Sequence, residues 1–310
     1  MTRGVRCTVM LRHSCRGVAA TLGIALMLLL GAPVGAAASA NPHPAGSVIN
    51  GVTYCHDGNT ALLLDLYYPT KIRYAHAPLV LWIHGGTWMH GSRSSAAADQ
   101  QVAQLRAHGF AVAAMDYTLA PANRFPDQIQ DLTCGVRYLR FNHRSLALDP
   151  SRFGALGVSA GGHLAAMLGV DDGSGYFVSG GFAGVSSGVQ AVAALWGVHD
   201  LTLKDLADYD EKVLPDIFGA YWRWKAASPR YHVRAGQPPF LLVHGDKDTD
   251  VPMIQSKVMA RSLRVAGVPE RLVIVHNAGH GLASTGGVMS PSRAAVRQDV
   301  LDFFVHSLNL

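Results

Sequence analysis

The sequence predicts an α/β fold: a mostly parallel central sheet, entered through an N-terminal antiparallel hairpin, with helices on both faces. Three observations carry this. Six short apolar runs, "APLVLWIH", "FAVAAMDY", "RFGALGVS", "VQAVAALW", "FLLVHG" and "RLVIVHN", alternate with stretches of helical periodicity, as buried parallel strands and crossover helices do. Ahead of them, "GVTYCHDGNTALLLDLYYP" reads as two strands turning at Asp57-Gly58-Asn59, residues suited to a tight hairpin. Glycines also stand where strands end, at Gly85-Gly86 and around Ser159.

The first 40 residues stand apart. They hold four arginines and no acid, then the apolar run "GVAATLGIALMLLLGA", then "AAASA" before Asn41. This is the pattern of a secretory signal, with cleavage expected after Ala40 and an exported product. A spanning helix is disfavoured because the apolar core is short and is followed by small residues. The charged segment is long for a signal, so Met1 and Met10 both stand as candidate starts. Four of the 26 Lys and Arg leave with the leader and all 21 Asp and Glu stay, which leaves 22 basic against 21 acidic residues. The apparent basicity therefore predicts no nucleic-acid partner, and no stable membrane insertion is expected after signal cleavage.

Residues 41–310 read as a single domain without repeats or linkers. Helices are predicted at 95–107, 126–141, 160–170, 252–266 and 293–308, the last with Val296, Val300, Phe303, Phe304 and Leu308 on one face. Residues 171–238 are less regular and large enough for a small cap over a cleft. That segment carries Phe177, Phe182, Phe218, Tyr221, Trp222 and Trp224, some of which are expected to close over a ligand and the rest to pack on the sheet. Cys7 and Cys15 fall in the leader, leaving Cys55 and Cys134. On the helix at 126–141, Cys134 lies opposite the face of Ile129, Leu132, Val136 and Leu139. That predicts an exposed thiol, which in an oxidising compartment could pair with Cys55 or stay free.

Gly157-Val158-Ser159-Ala160-Gly161 is a G-x-S-x-G between a strand and an Ala-rich helix. In that context two glycines permit a sharp turn that projects Ser159 Oγ at a helix N-terminus, as a nucleophile. A serine hydroxyl needs a histidine base, and the base an acid that holds its tautomer. Asp246, Asp248 and Asp250 follow one downstream strand, and His276 and His280 follow the next. His280, between Gly279 and Gly281, is the candidate base, and His276 a structural or edge residue. Attack by Ser159 creates an oxyanion that needs preorganised donors. The N–H groups of Gly85, Gly86 and Ala160 are the candidates, with His84 bracing the loop. Trp88 either lines the pocket or packs beneath that loop, and Trp196 is a second candidate pocket residue.

With these residues in place the chain resembles α/β-hydrolase fold esterases and lipases, near the hormone-sensitive-lipase-like and BD-FAE-like carboxylesterases. "LDLYYP", "HGGTW", "DYTLAPANRFPDQIQD", "LDPSRFGALGVSAGGHLA", "SPRYHV", "PPFLLVHGDKDTDVP" and "AGHGL" occur in the order of that family. The resemblance implies an α/β-hydrolase catalytic domain over 41–310 that cleaves carboxylic esters through an acyl-serine, without metal or organic cofactor. The family pattern H-G-x-x-D-x-x-V-P aligns His244, Gly245, Asp248, Val251 and Pro252, which selects Asp248 as the acid. Two departures, Thr118 where the family often has Arg and Thr87 in place of a third glycine, leave substrate shape open. A short cap implies short-chain or aryl esters. The alternatives are an arylformamidase-like amide hydrolase and a non-catalytic binding protein on the same scaffold.

Overall fold

Along the central strands alternate side chains part to opposite faces of the sheet, and the sequence supplies apolar residues for both. The computed structural model describes residues 42–171, 177–203 and 213–310. The expected leader and part of the expected cap lie outside the described residues. One sheet holds β1 (Val48–Asp57), β2 (Thr60–Tyr67), β3 (Ala77–Ile83), β4 (Ala111–Met115), β5 (Leu148–Val158), β6 (Ala191–Leu195), β7 (Phe240–Gly245) and β8 (Glu270–Val275), in the order β1-β2-β4-β3-β5-β6-β7-β8. The hairpin β1–β2 is antiparallel and so is the β2–β4 pair; every other pairing is parallel.

The described helices are α1 (Gln100–Ala107), α2 (Asp127–Phe141), α3 (Ala160–Asp171), α4 (Val213–Phe218), α5 (Ile254–Val265) and α6 (Arg293–Ser307). Leu79, Leu81 and Ile83 of β3 join the core beneath α2, α3 and α5, while Val80 and Trp82 join the core beneath α1 and α6. Each fully buried aliphatic side chain contributes about 1.5–3 kcal/mol, so both layers hold the sheet. The helix predicted at 95–107 is broken in two. A 3-10 turn, Arg93–Ala98, ends at Asp99, whose carboxylate accepts the N–H groups of Gln101 and Val102 and starts α1 afresh.

Cys134 is not exposed. It is 3 % accessible and bonded to Cys55 of β1. The prediction failed because α2 is covered on its outer side as well. Thr133 Oγ1 donates to the Phe177 carbonyl at 3.1 Å, Arg137 to the Ser179 carbonyl, and Arg140 Nη2 to the Gly188 carbonyl at 2.7 Å. Residues 177–188 thus lie along α2. The bridge spans 79 residues of chain, a loop whose closure is worth about 4–5 kcal/mol by chain entropy. Replacing both cysteines with alanine is expected to lower the unfolding free energy by about 2–5 kcal/mol, measurable as a shift in urea midpoint. An unchanged midpoint would show that the bridge adds nothing to stability.

Parallel pairing sends the strands out at one edge. Ile83 pairs with Gly157, Val158 with Leu195, and Gly245 with Val275. The loops after β3, β5, β6, β7 and β8 therefore meet there, where an open α/β sheet places its ligands. Among the described residues no helix is long and apolar enough to cross a membrane.

Candidate active site

Ser159 stands between β5 and α3 with φ of 54°, a left-handed backbone that costs roughly 1–2 kcal/mol in a non-glycine residue. The elbow closes only because its glycines lack Cβ atoms: one at Gly157 would strike the Gly161 carbonyl, and one at Gly161 the Ile83 carbonyl. The Ser159 N–H is held by the Leu195 carbonyl at 3.0 Å, which ties the turn to β6.

His280 Nε2 lies 2.9 Å from Ser159 Oγ, and His280 Nδ1 lies 2.9 Å from Asp248 Oδ2. A carboxylate can only accept, so the ring carries its proton on Nδ1 and offers a bare Nε2 to the serine hydroxyl. Asp248 is buried. Its Oδ1 accepts the Asp250 and Val251 N–H groups at 3.1 and 2.9 Å. Burial alone would raise this carboxyl, but hydrogen bonding from His244, His280 and the Val251 N–H outweighs it and holds the group far below the usual carboxylate range. His244, an alignment landmark in the sequence, is a buried support. Its Nε2–H donates to the Val251 carbonyl at 2.7 Å and lies 3.4 Å from Asp248 Oδ2, and its Nδ1 takes the Ser256 hydroxyl at 2.7 Å. His276 and Asp246 pair with each other at 3.1 Å, apart from this chain.

Ser159 and His280 open into a cavity of about 280 Å³ whose apolar wall is Trp88, Val198, Leu214 and Val251, with Asp250 beside them. Gly86 and Ala160 line it too. The N–H of Ala160, first residue of α3, has no partner within its helix. Gly85 is not in the cavity wall; it packs against the elbow, where a Cβ would lie 3.0 Å from the Val158 carbonyl. Thr87, in the place of a third glycine, lines the cavity and adopts φ of 52°, between Gly86 at 115° and Trp88 at 55°. His84 grips the start of the loop. Its Nδ1–H donates to the Gly85 carbonyl at 2.7 Å, its ring stacks on Tyr117 at 4.3 Å, and the Tyr117 hydroxyl donates to the His84 carbonyl at 3.1 Å. Burial lowers the His84 pKa, so the brace is neutral.

Trp88 meets both readings the sequence left open, lining the cavity while packing on His163 and Phe218. Trp196 is a correction. Strand alternation would turn it toward the catalytic side, since Ala194 faces α3 and Leu195 faces α6, but φ of 42° at Trp196 breaks the alternation. Its ring lines a separate cavity with Trp82, Leu282 and Arg297. The six cap aromatics are corrected also: none lines the cavity at Ser159, and among the described residues of 171–238 it is Val198 and Leu214 of α4 that do. Phe177, Phe218 and Trp224 are buried, Phe182 packs on Tyr138 and Phe141, and Tyr221 and Trp222 are exposed.

The sequence profile of the BD-FAE family matches residues 64–263. The chain belongs to the BD-FAE family. The matched stretch holds Gly85, Gly86, Ser159 and Asp248 but ends before His280, so the place of the histidine rests on its geometry. The chain is 28 % identical to esterase LipC of Mycobacterium tuberculosis over 71 % of its own length and 57 % of that protein. It is 30 % identical to esterase LipQ of the same organism over 68 % of its length and 51 % of that protein. It thus spans about half the length of these curated relatives. Among solved structures, a truncated carbohydrate esterase from gut microbiota superposes with a TM-score of 0.75 at 26 % identity, over 87 % of this chain and 99 % of that one. Esterase Est2 of Thermogutta terrifontis gives 0.69 at 27 % identity, over 84 % and 92 %. The BD-FAE member described here therefore has the α/β-hydrolase fold.

Proposed function

We propose that this chain is an exported serine carboxylesterase that cleaves short-chain or aryl esters through an acyl-Ser159 intermediate. The observation that carries the reading is the hydrogen-bonded chain Ser159–His280–Asp248 opening into an apolar cavity. In this mechanism Nε2 of His280 takes the hydroxyl proton as Oγ attacks the ester carbonyl. Asp248 stabilises the imidazolium, and the proton then passes to the leaving alcohol. Water repeats the sequence to release the acid. The Gly86 and Ala160 N–H groups are the proposed oxyanion donors, and Gly85 lets their loop approach the elbow.

A volume of about 280 Å³ lies at the small end of ligand pockets, which run from about 300 to 1,000 Å³, and this supports short acyl groups. A panel of p-nitrophenyl esters of rising acyl length tests it, with aryl acetates, an acetylated sugar and an N-formyl anilide alongside. The expected result is highest kcat/KM for acetate to butyrate and a steep fall beyond. Best turnover of long-chain emulsions would overturn the pocket reading, and turnover of the anilide alone would overturn the ester reading.

Export is supported by the leader pattern and by the Cys55–Cys134 bond, since structural disulfides persist in oxidising compartments. N-terminal sequencing of exported protein should begin near Asn41. Retention of the apolar run in membrane-bound protein would contradict cleavage.

A further inference from the structure

We infer that His163 is the positioning residue of the oxyanion loop, acting through the indole of Trp88. The inference rests on the esterase reading above. Gly86, Thr87 and Trp88 form three successive left-handed residues, at φ of 115°, 52° and 55°, and two of them carry side chains that disfavour that backbone. Something must hold the run in place. The Trp88 ring is the loop's buried end, 3 % accessible, and its one polar atom, Nε1–H, donates to His163 Nδ1 at 3.1 Å.

That bond is built into the nucleophile's own helix. His163 lies four residues after Ser159, one turn down the same face, and its N–H donates to the Ser159 carbonyl at 3.0 Å. The far side of the ring lies 2.7 Å from the Ala227 carbonyl. A carbonyl can only accept and an indole N–H can only donate, so both partners demand the tautomer with the proton on Nε2 and a bare Nδ1. Burial holds the imidazole down to about 4, so Nδ1 remains an acceptor at neutral pH. Phe218 meets both rings edge-on, at 4.9 Å from Trp88 and 5.7 Å from His163. The contact is apolar and adds no second acceptor for the indole. His84 holds the start of the loop and the Ala120 N–H holds the Trp88 carbonyl at 3.0 Å, but the imidazole is the side chain that ties the loop's buried end to the helix bearing the nucleophile.

The test uses the mature protein with His163→Leu, which removes the acceptor, His163→Asn, whose Oδ1 stands near the place of Nδ1, and Trp88→Phe, which removes the donor. A misplaced donor loop weakens transition-state binding more than ground-state binding. His163→Leu is therefore expected to lower kcat on p-nitrophenyl acetate by roughly 10- to 100-fold with KM changed by less than about twofold. His163→Asn should recover most of the loss. In a Trp88→Phe background His163→Leu should add no more than about twofold, because non-additivity marks a shared interaction. An equal loss in both backgrounds, or an unchanged kcat in the leucine variant, would overturn the inference. Indole N–H spectra give a second readout that needs no turnover. Of the five tryptophans, the Trp88 signal, assigned by its loss in Trp88→Phe, should lose protection from solvent exchange in His163→Leu and keep it in His163→Asn. A Trp88 signal equally protected in all three His163 forms would overturn the bond itself. If all the indole signals collapse in the leucine variant it has not folded, and the asparagine variant decides: normal kcat and protection support the inference, loss of both overturns it. Wild-type protein that neither turns over an ester nor reacts with a fluorophosphonate would sink the esterase reading instead, and the indole spectra would still decide the bond.

Discussion

Ser159→Ala is expected to give a folded protein whose ester turnover falls by roughly 10⁶-fold. The hydroxyl is the only atom removed, so the covalent route disappears while the turn that carries it is preserved. Alanine adopts the left-handed backbone at φ of 54° about as readily as serine, and the hydrogen bond from residue 159 N–H to the Leu195 carbonyl is a main-chain bond. What survives is the rate enhancement supplied by the oxyanion donors and the pocket alone, roughly 10³–10⁴ over water in serine hydrolases. Single-turnover kinetics on p-nitrophenyl acetate, with a denaturation curve to show that the fold persists, measures this. Activity within tenfold of wild type would remove Ser159 from the mechanism, as would a fluorophosphonate adduct on any other residue.

Asp248→Asn is expected to cost roughly 10⁴-fold in kcat, and Asp246→Asn and Asp250→Asn less than about tenfold. An amide NH₂ facing His280 would reject the Nδ1–H tautomer and turn a protonated nitrogen toward Ser159. Neither neighbour holds that position. Asp246 is spent on His276 and on the Asn277 N–H at 2.8 Å, and Asp250 offers its backbone N–H to Asp248 while its side chain is exposed at the cavity. The sign of the titration adds a second signature. The folded carboxyl lies below its unfolded value, so it contributes stability above the ordinary carboxylate range, and that contribution is lost progressively as pH falls from the unfolded value through the folded one. The asparagine variant should therefore unfold more easily at pH 7, with the gap closing in strong acid. A severe Asp246→Asn and a mild Asp248→Asn would reverse the assignment.

The parts of this site that were legible in the sequence are those decided by local rules. A glycine pair around Ser159 between a strand and a helix leaves one conformation that closes, and His280 sits between glycines after the last strand. The acid was not decided locally. Three aspartates within five positions are equivalent until the loop is folded, and only a family pattern separated them. What failed depended on a single dihedral or on chain far away. Trp196 changes sides of the sheet through its own φ, which an apolar run does not encode. Cys134 looked exposed because the segment that buries it, from Phe177 onward, lies more than 40 residues downstream. In the sequence His163 stands inside the motif "GVSAGGHLA" with no role of its own. Its signal was the four-residue spacing from Ser159, which puts it one turn beneath the nucleophile, and the meaning of that spacing required knowing that Trp88 comes to meet it.

The bond between Cys55 and Cys134 also bears on how the protein is assembled. Cys55 precedes its partner by 79 residues, so a chain threading out N-terminus first presents one thiol well before the other arrives. Four cysteines would permit three fully paired isomers. With the leader and its two cysteines removed, as proposed, the remaining pair has only one intramolecular solution. Under the proposed cleavage, oxidative maturation of residues 41–310 calls for an electron acceptor but no choice between intramolecular pairings.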